Sequence, residues 1–479
     1  MTMYNYPAPK APTYKEPKSV EDCLPQARQL VTREYGRTAM GPIKKGDRLL
    51  IITLPDQNKY VREAVSIACK EAGAEEVKFM LARDFTGEKE KKFTVADGWD
   101  EVRMLQDGIA SGSPETADLA TGMDVTTPLY KYLKKHPEYN KLFWDLGARF
   151  QKVQVLEDEG HRFKANWLFN NWEEYLSEAW VFPDELILEI ERRIVEVIGM
   201  ASLVRISDPE GTFIEFPVSA DEAKRWQQGA WLKGHLYMEP FQSTVQEGEI
   251  SPHAIDAAPV FPDLNGVLAG TANHRGFFPR IELHYEHGRL VDVKGGGKYG
   301  AGIKVMMDKY KNVHWPGYPG KGFFWFCDCA LCTVVKAFRR TSDIFNSYWG
   351  FTNISERNRA GVFHLGMGSR RHIPEHLDYA KKHKLPLGHI HVHNYFATYE
   401  IKLRGTENWY KIVDKGWLTI MSDPAIRALA TKFGDPDKLL SYDWVPPLPG
   451  INCEGDYLKD YAPNPVAYLK ARLKNNKTI

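Results

Sequence analysis

The stretch that decides how the first part of this chain folds is residues 44–82, KKGDRLLIITLPDQNKYVREAVSIACKEAGAEEVKFMLA. Residues 48–53, apolar and β-branched after the Gly46-Asp47 turn signal, read as a buried strand. In residues 58–72, Val61, Ala64, Val65, Ala68, Cys69 and Ala72 recur at helical spacing, which predicts an amphipathic helix ended by Gly73. EEVKFMLA then supplies a second strand. Strand, helix and strand at this spacing form a crossover unit, so the N-terminal domain is predicted to be α/β with parallel strands. No GxGxxG follows the first strand, which argues against a dinucleotide site there.

Upstream, Leu24, Ala27, Leu30 and Val31 predict a helix over residues 20–35. Residues 1–18 hold Pro7, Pro9, Pro12 and Pro17 among tyrosines and lysines, a composition that favours an extended arm reaching a partner subunit. Downstream, residues 100–184 carry Trp144, Trp167, Trp172 and Trp180 in helix-like surroundings such as NWLFNNWEEYLSEAW. These read as helices packed on the sheet, or as an aromatic lid over a site in the other domain. Residues 185–198 form a strong helical stripe through Leu186, Ile187, Ile190, Ile194, Val197 and Ile198, a natural boundary. After Gly199 the texture changes to short strands broken by glycine and proline: ASLVRIS, GTFIEFPV, AWLKGHLYM, RIELHYE, RLVDVKG and GFFWFCDC. The expected organisation is an arm over 1–18, an α/β N-terminal domain with parallel strands over 19–198, and a β-rich (α+β) C-terminal metal-binding domain over 199–479.

With 479 residues, 43% hydrophobic and 12% aromatic, the chain has enough apolar material for two cores. Sixty-three basic and 62 acidic residues leave a net charge of +1, which recommends neither nucleic acid nor an anionic membrane and points to a small-molecule substrate. The N-terminus lacks the apolar core of a secretory signal, and six cysteines in so long a chain suit free thiols, so a cytoplasmic setting is expected.

The chemistry concentrates in residues 361–399, GVFHLGMGSRRHIPEHLDYAKKHKLPLGHIHVHNYFATY. His389, His391 and His393 alternate with Ile390 and Val392 in a run that reads as a strand over 387–396, so period-two geometry sends the three imidazoles to one face. Imidazoles so placed bind a metal ion when a further ligand arrives from elsewhere, and His364 in AGVFHLGMG is the candidate for a neighbouring strand. The alternative is a polar, half-exposed sheet face. KGGGKYG at 294–300 reads as a strand-to-helix turn or a phosphate cradle, although the Walker Lys-Ser/Thr pair is missing. Cys327, Cys329 and Cys332 read as core or as an incomplete soft-ligand set.

Taken together, these motifs resemble the aminopeptidase T family of metallopeptidases and its offshoot, the 2,5-dihydroxypyridine 5,6-dioxygenases. QEGEISPHAIDAAPVFPDLNGVLAG is similar to the family's Gly-Glu-Val segment leading to Asn-Gly, AGVFHLGMG to its His-Leu-Ala-Leu-Gly, and GHIHVHNYF to its Ile-His-Val-Asp. KKGDRLLI with EAGAEEV is similar to its first strand–helix–strand unit. The resemblance implies the family's two-domain fold and a homodimer. It assigns Glu249 to the first glutamate, His364 to the middle histidine and His391 to the histidine of His-Val-Asp, while His393 stands at the aspartate position. The peptidases' second glutamate falls near residues 326–329, where Asp328 is the only acid, and Arg370 and Arg371 stand near the place of an absent tyrosine. Too few carboxylates remain for a two-metal peptidase.

The expectation is therefore one Fe(II), alternatively Mn or Zn, on His364, His391 and His393, in a dioxygenase that cleaves the ring of a hydroxylated aromatic or N-heteroaromatic compound with dioxygen. Arg370 and Arg371 would clamp an anionic substrate, and Glu249 and His253 would transfer protons. The alternatives are a metal-dependent hydrolase, most simply an aminopeptidase, and a non-catalytic binding protein.

Overall fold

The computed structural model describes residues 5–33, 40, 42–55, 57–89, 125–144, 162–165, 172–228, 235–238, 260–273, 276–339, 341, 345, 356–369, 374–386 and 389–475. Its first sheet contains β1 (Arg48–Thr53), β2 (Glu76–Leu81), β3 (Lys141–Trp144) and β4 (Arg162–Ala165), in the order β2-β1-β3-β4 with every pairing parallel. The predicted crossover helix forms at Lys59–Glu71, where the Asn58 side chain caps the Tyr60 amide at 2.9 Å. Its apolar side, Val61, Ala64, Val65, Ala68 and Cys69, packs with Leu49 and Ile51 and with Ala27, Leu30 and Val31 of helix Leu24–Thr32. Leu50 and Ile52 alternate to the opposite face, against Leu129 and Leu133 of helix Thr126–Lys135. An α/β layer with parallel strands is thus built as the periodicity predicts.

The tryptophan-rich segment packs on the sheet as expected, through helix Thr126–Lys135 and through Trp172, Tyr175 and Trp180, but is helical only in part. Trp144 ends strand β3, and only the four-residue helix Trp172–Tyr175 and the 3-10 turn Glu178–Trp180 are helical around the last two tryptophans. Trp167 lies outside the described residues. A four-residue apolar run such as KLFW carries no period that separates helix from strand, and pairing with β1 satisfies its backbone groups. The proline-rich arm lies along its own chain. Lys10 exchanges backbone hydrogen bonds with Val445 at 3.1 and 2.7 Å, Asn452 Nδ2 donates to the Pro7 carbonyl at 3.0 Å, and the Tyr14 ring packs at a tilt against Phe338 with centroids 5.4 Å apart.

The remaining strands form two antiparallel sheets. The larger contains β5 (Ala201–Ser207), β6 (Phe213–Pro217), β8 (Asn265–Asn273), β9 (Gly276–Glu286), β10 (Arg289–Gly295), β14 (Thr398–Leu403), β15 (Trp409–Asp414) and β16 (Trp417–Leu418), in the order β10-β9-β8-β6-β5-β14-β15-β16. The smaller runs β13-β12-β11-β7, with β7 at His235–Tyr237, β11 at Phe326–Cys332, β12 at Phe363–Gly368 and β13 at His389–Asn394. Helix Asp184–Ile198 gives its buried stripe, Leu186, Ile190 and Ile194 included, to this C-terminal core.

Cys327, Cys329 and Cys332 are buried and form no disulfide, and the first two lie in the core cluster with Phe323 and Trp325, as the core reading of that run has it. In KGGGKYG, Gly295, Gly296 and Gly297 adopt φ of 71°, 76° and 54°. The helix Gly297–Lys309 starts there, and a Cβ on Gly300 would lie 2.1 Å from the Gly295 carbonyl oxygen, so the run serves as a close-packed strand-to-helix turn. Among the described residues no helix is long and apolar enough to cross a membrane.

Two features hold β13 in place. Gly270 of β8 lies against it, and a Cβ there would come 2.4 Å from Val392 Cγ1. At its far end, Asp208 in the turn between β5 and β6 accepts the amides of Phe396 at 3.1 Å and Glu210 at 2.8 Å. Glu210 in turn accepts the hydroxyls of Thr271 at 2.8 Å and Tyr457 at 2.6 Å. Burial disfavours ionisation and raises both carboxyls, Asp208 to about 7 and Glu210, with the neighbouring Asp208 adding to the rise, to about 8.

Filling the Gly270 contact should destabilise the protein. Gly270→Val overpacks the interface between the sheets and is expected to cost about 1–3 kcal/mol in urea unfolding; an unchanged midpoint would contradict the contact. The carboxyl pair predicts a pH effect. A folded pKa raised above the unfolded value near 4 favours folding fully below about pH 4, and that contribution is lost as pH rises towards 7 and 8. Glu210→Gln, which cannot ionise, should therefore gain on the wild type by about 1 kcal/mol or more between pH 5 and pH 8. Parallel stability profiles for the two proteins over that range would remove the argument.

Candidate metal centre

The smaller sheet has one apolar face and one polar face, set by strand alternation. Across β11, β12 and β13, Asp328 pairs with Gly366 and Gly366 with His391; one row along, Ala330 pairs with His364 and His364 with His393. Residues two apart on a strand share a face, so Asp328, His364, His391 and His393 stand together. The intervening positions Cys329, Leu365 and Val392 turn into the core. A bulge between Phe326 and Asp328 shifts the register just before the acid, a feature that re-aims a strand side chain.

Gly366 is decisive for the geometry. Asp328 and His391 lie on strands separated by β12, and the residue between them has no side chain, so the two reach across it. Asp328 Oδ2 stands 3.2 Å from His391 Nε2 and 3.8 Å from His364 Nε2, and the two rings are 3.9 Å apart between centroids. One ligand atom from each of the three residues lies within 4.8 Å of the others. Their residues are 4%, 3% and 8% exposed. A buried carboxylate between two imidazoles is a costly arrangement unless its charge is matched, by a proton on an imidazole or by a cation. Two nitrogen donors and one oxygen donor converging in this way fit a first-row divalent metal.

His393 is drawn to a different carboxylate. Its Nδ1 lies 3.0 Å from Glu356 Oε1, and its ring stands edge-on to His364 with centroids 5.5 Å apart. Glu356, fully buried, also accepts the Tyr395 hydroxyl on Oε1 at 2.6 Å and Arg339 on Oε2 at 2.5 Å. The Arg339 guanidinium in turn lies over the rings of Phe277 at 4.8 Å and Trp444 at 5.1 Å. The structure thus groups His364 and His391 with Asp328, where the sequence reading grouped them with His393.

Of the other expected residues, His389 begins β13 as predicted, and its side chain lies outside what is described. Glu249, His253, Arg370 and Arg371 also lie outside the described residues. Glu356 is the addition from tertiary structure, and Asp328, which the sequence named without a ligand role, joins the two histidines. Asp328 was visible in sequence as the only acid near the place of the peptidases' second glutamate, and Glu356 sits in NISERNRA, which has no periodic signal.

Among solved structures, this chain is similar to the following two at low identity. The 2,5-dihydroxypyridine dioxygenase from Pseudomonas putida KT2440 is 12% identical, over 84% of this chain and 98% of that one, with a TM-score of 0.46. Wild-type AmpT from Thermus thermophilus is 12% identical, over 83% of this chain and 99% of that one, with a TM-score of 0.42. No family model and no curated protein sequence matches the chain.

Proposed function

We propose that this chain is a mononuclear, Fe(II)-dependent dioxygenase that opens the ring of a hydroxylated aromatic or N-heteroaromatic compound, with Asp328, His364 and His391 as the metal ligands. The observation that carries the proposal is the convergence of two imidazoles and one carboxylate on a buried sheet face. That donor set, with its remaining positions open, is characteristic of non-haem Fe(II) oxygenases, although imidazole and carboxylate also suit Mn and Zn. Bound there, ferrous iron would supply reducing equivalents for dioxygen and a Lewis-acidic anchor for a substrate oxygen.

The protein's own groups set what the site accepts. One carboxylate against a divalent ion leaves one positive charge, which favours a chelating substrate that carries a single negative charge. Glu356 is committed to Arg339, Tyr395 and His393, so it is poorly placed to neutralise a second ion; this weighs towards one metal and away from a two-metal hydrolase. Arg370 and Arg371, just beyond β12, keep their proposed role as a clamp for a substrate carboxylate or oxyanion, and Glu249 and His253 theirs in proton transfer. The resemblance adds a homodimer to this reading, and the cysteine usage a cytoplasmic setting.

The test is metal content together with oxygen uptake. Protein reconstituted anaerobically should bind about one Fe(II) per chain, and Asp328→Ala, His364→Ala and His391→Ala should each weaken retention by at least about ten-fold. His393→Ala should retain the metal. Oxygen uptake on a panel of hydroxypyridines and dihydroxybenzenes, without peptide hydrolysis, is the expected activity. Full iron occupancy in His391→Ala would sink the ligand assignment, and peptide cleavage without oxygen uptake would sink the dioxygenase.

A further inference from the structure

The polar face contains one imidazole more than the metal group uses, and that imidazole has its own buried support. His393 pairs with His364 across the strands and shares its strand face with His391. Its Nδ1 meets Glu356 Oε1 at 3.0 Å. Arg339 donates to the other oxygen of Glu356 at 2.5 Å, and a carboxylate paired with a guanidinium in this way is an acceptor only. The proton of this hydrogen bond therefore sits on His393 Nδ1, and a neutral imidazole protonated there has Nε2 as its acceptor.

We propose that Glu356 is a positioning residue: it fixes His393 as the Nδ1-protonated tautomer, so that Nε2 accepts a hydrogen bond from the hydroxyl of a chelating substrate held beside His364 and His391. The second half of this statement rests on the metal site proposed above; the first half does not. The tautomer follows from the buried acceptor alone. Its consequence is selectivity for chelators that bring a hydroxyl proton, because a ligand without one has nothing to donate to His393.

Replacing the carboxylate by an amide makes the inference testable. In Glu356→Gln the side chain keeps one acceptor oxygen in place of two, and the Arg339 guanidinium requires it. The amide NH2 would then face Tyr395 and His393, and Nδ1 would have to accept, moving the imidazole proton to Nε2.

Nitrogen-15 spectra of histidine-labelled full-length protein distinguish the two tautomers directly, in metal-free and Zn(II)-loaded samples, with the His393 signals assigned by their loss in His393→Asn. The wild type should show the Nδ1-protonated pattern and Glu356→Gln the Nε2-protonated one. A wild-type His393 carrying its proton on Nε2 overturns the inference without any variant, and so does an unchanged pattern in Glu356→Gln.

Binding to the Zn(II)-loaded protein tests the role, with catechol as a hydroxyl-bearing chelator and picolinate as one without. Glu356→Gln should weaken catechol by about five- to ten-fold, the effect of one hydrogen bond, and leave picolinate within about two-fold. Equal weakening of both would reduce Glu356 to a merely structural role. If neither chelator binds the wild type, the metal-site reading and the acceptor role fail together, while the spectra still decide the tautomer.

Discussion

The candidate centre depends on a register in which a glycine separates two chemically active strands. Asp328, Gly366 and His391 form one row across β11, β12 and β13. Any side chain at the middle position would stand between the carboxylate and the imidazole; its absence lets them approach to 3.2 Å. A one-residue slip of β13 would turn His391 and His393 into the apolar core and bring Ile390 and Val392 onto the polar face. The packing of Val392 against Gly270 opposes that slip, so the contact between the sheets and the geometry of the site are one constraint.

The same face shows how buried charge is managed. Asp328 lies beside the His364 and His391 imidazoles, whereas Glu356 is held by Arg339, Tyr395 and His393. The two carboxylates are similarly buried, yet their partners suit them to different tasks. One has the surroundings of a ligand, the other those of a support. Asp208 and Glu210 have hydroxyl and amide donors in hydrogen-bond contact, and their pKa values rise because burial disfavours the charged form, with Asp208 adding to the rise at Glu210.

Local periodicity made much of the fold legible. Helix Lys59–Glu71 and strand β1 appear almost residue for residue, because six apolar positions at helical spacing and a β-branched run between turn signals leave little choice. Strand β13 was readable by the same logic, since imidazoles alternating with Ile390 and Val392 are a period-two pattern. Segments without a period were not readable. KLFW at β3 became a strand only because β1 offers it a hydrogen-bonding edge, and the proline-rich arm found its partner in Val445, far along the same chain.

By itself, the sequence determined that there are parallel α/β and antiparallel β regions, and that His364 and His391 are histidines of a crowded polar face; both follow from side-chain alternation, which is a local property. Only the tertiary structure decided which carboxylate joins them. Asp328 is 63 residues from His391, and nothing in either segment encodes the row through Gly366 that brings them together. The separation of His393 from that group was decided in the same way, because its partner Glu356 comes from a non-periodic segment. Strand pairing and burial choose ligands across the chain, and these are properties of the folded molecule.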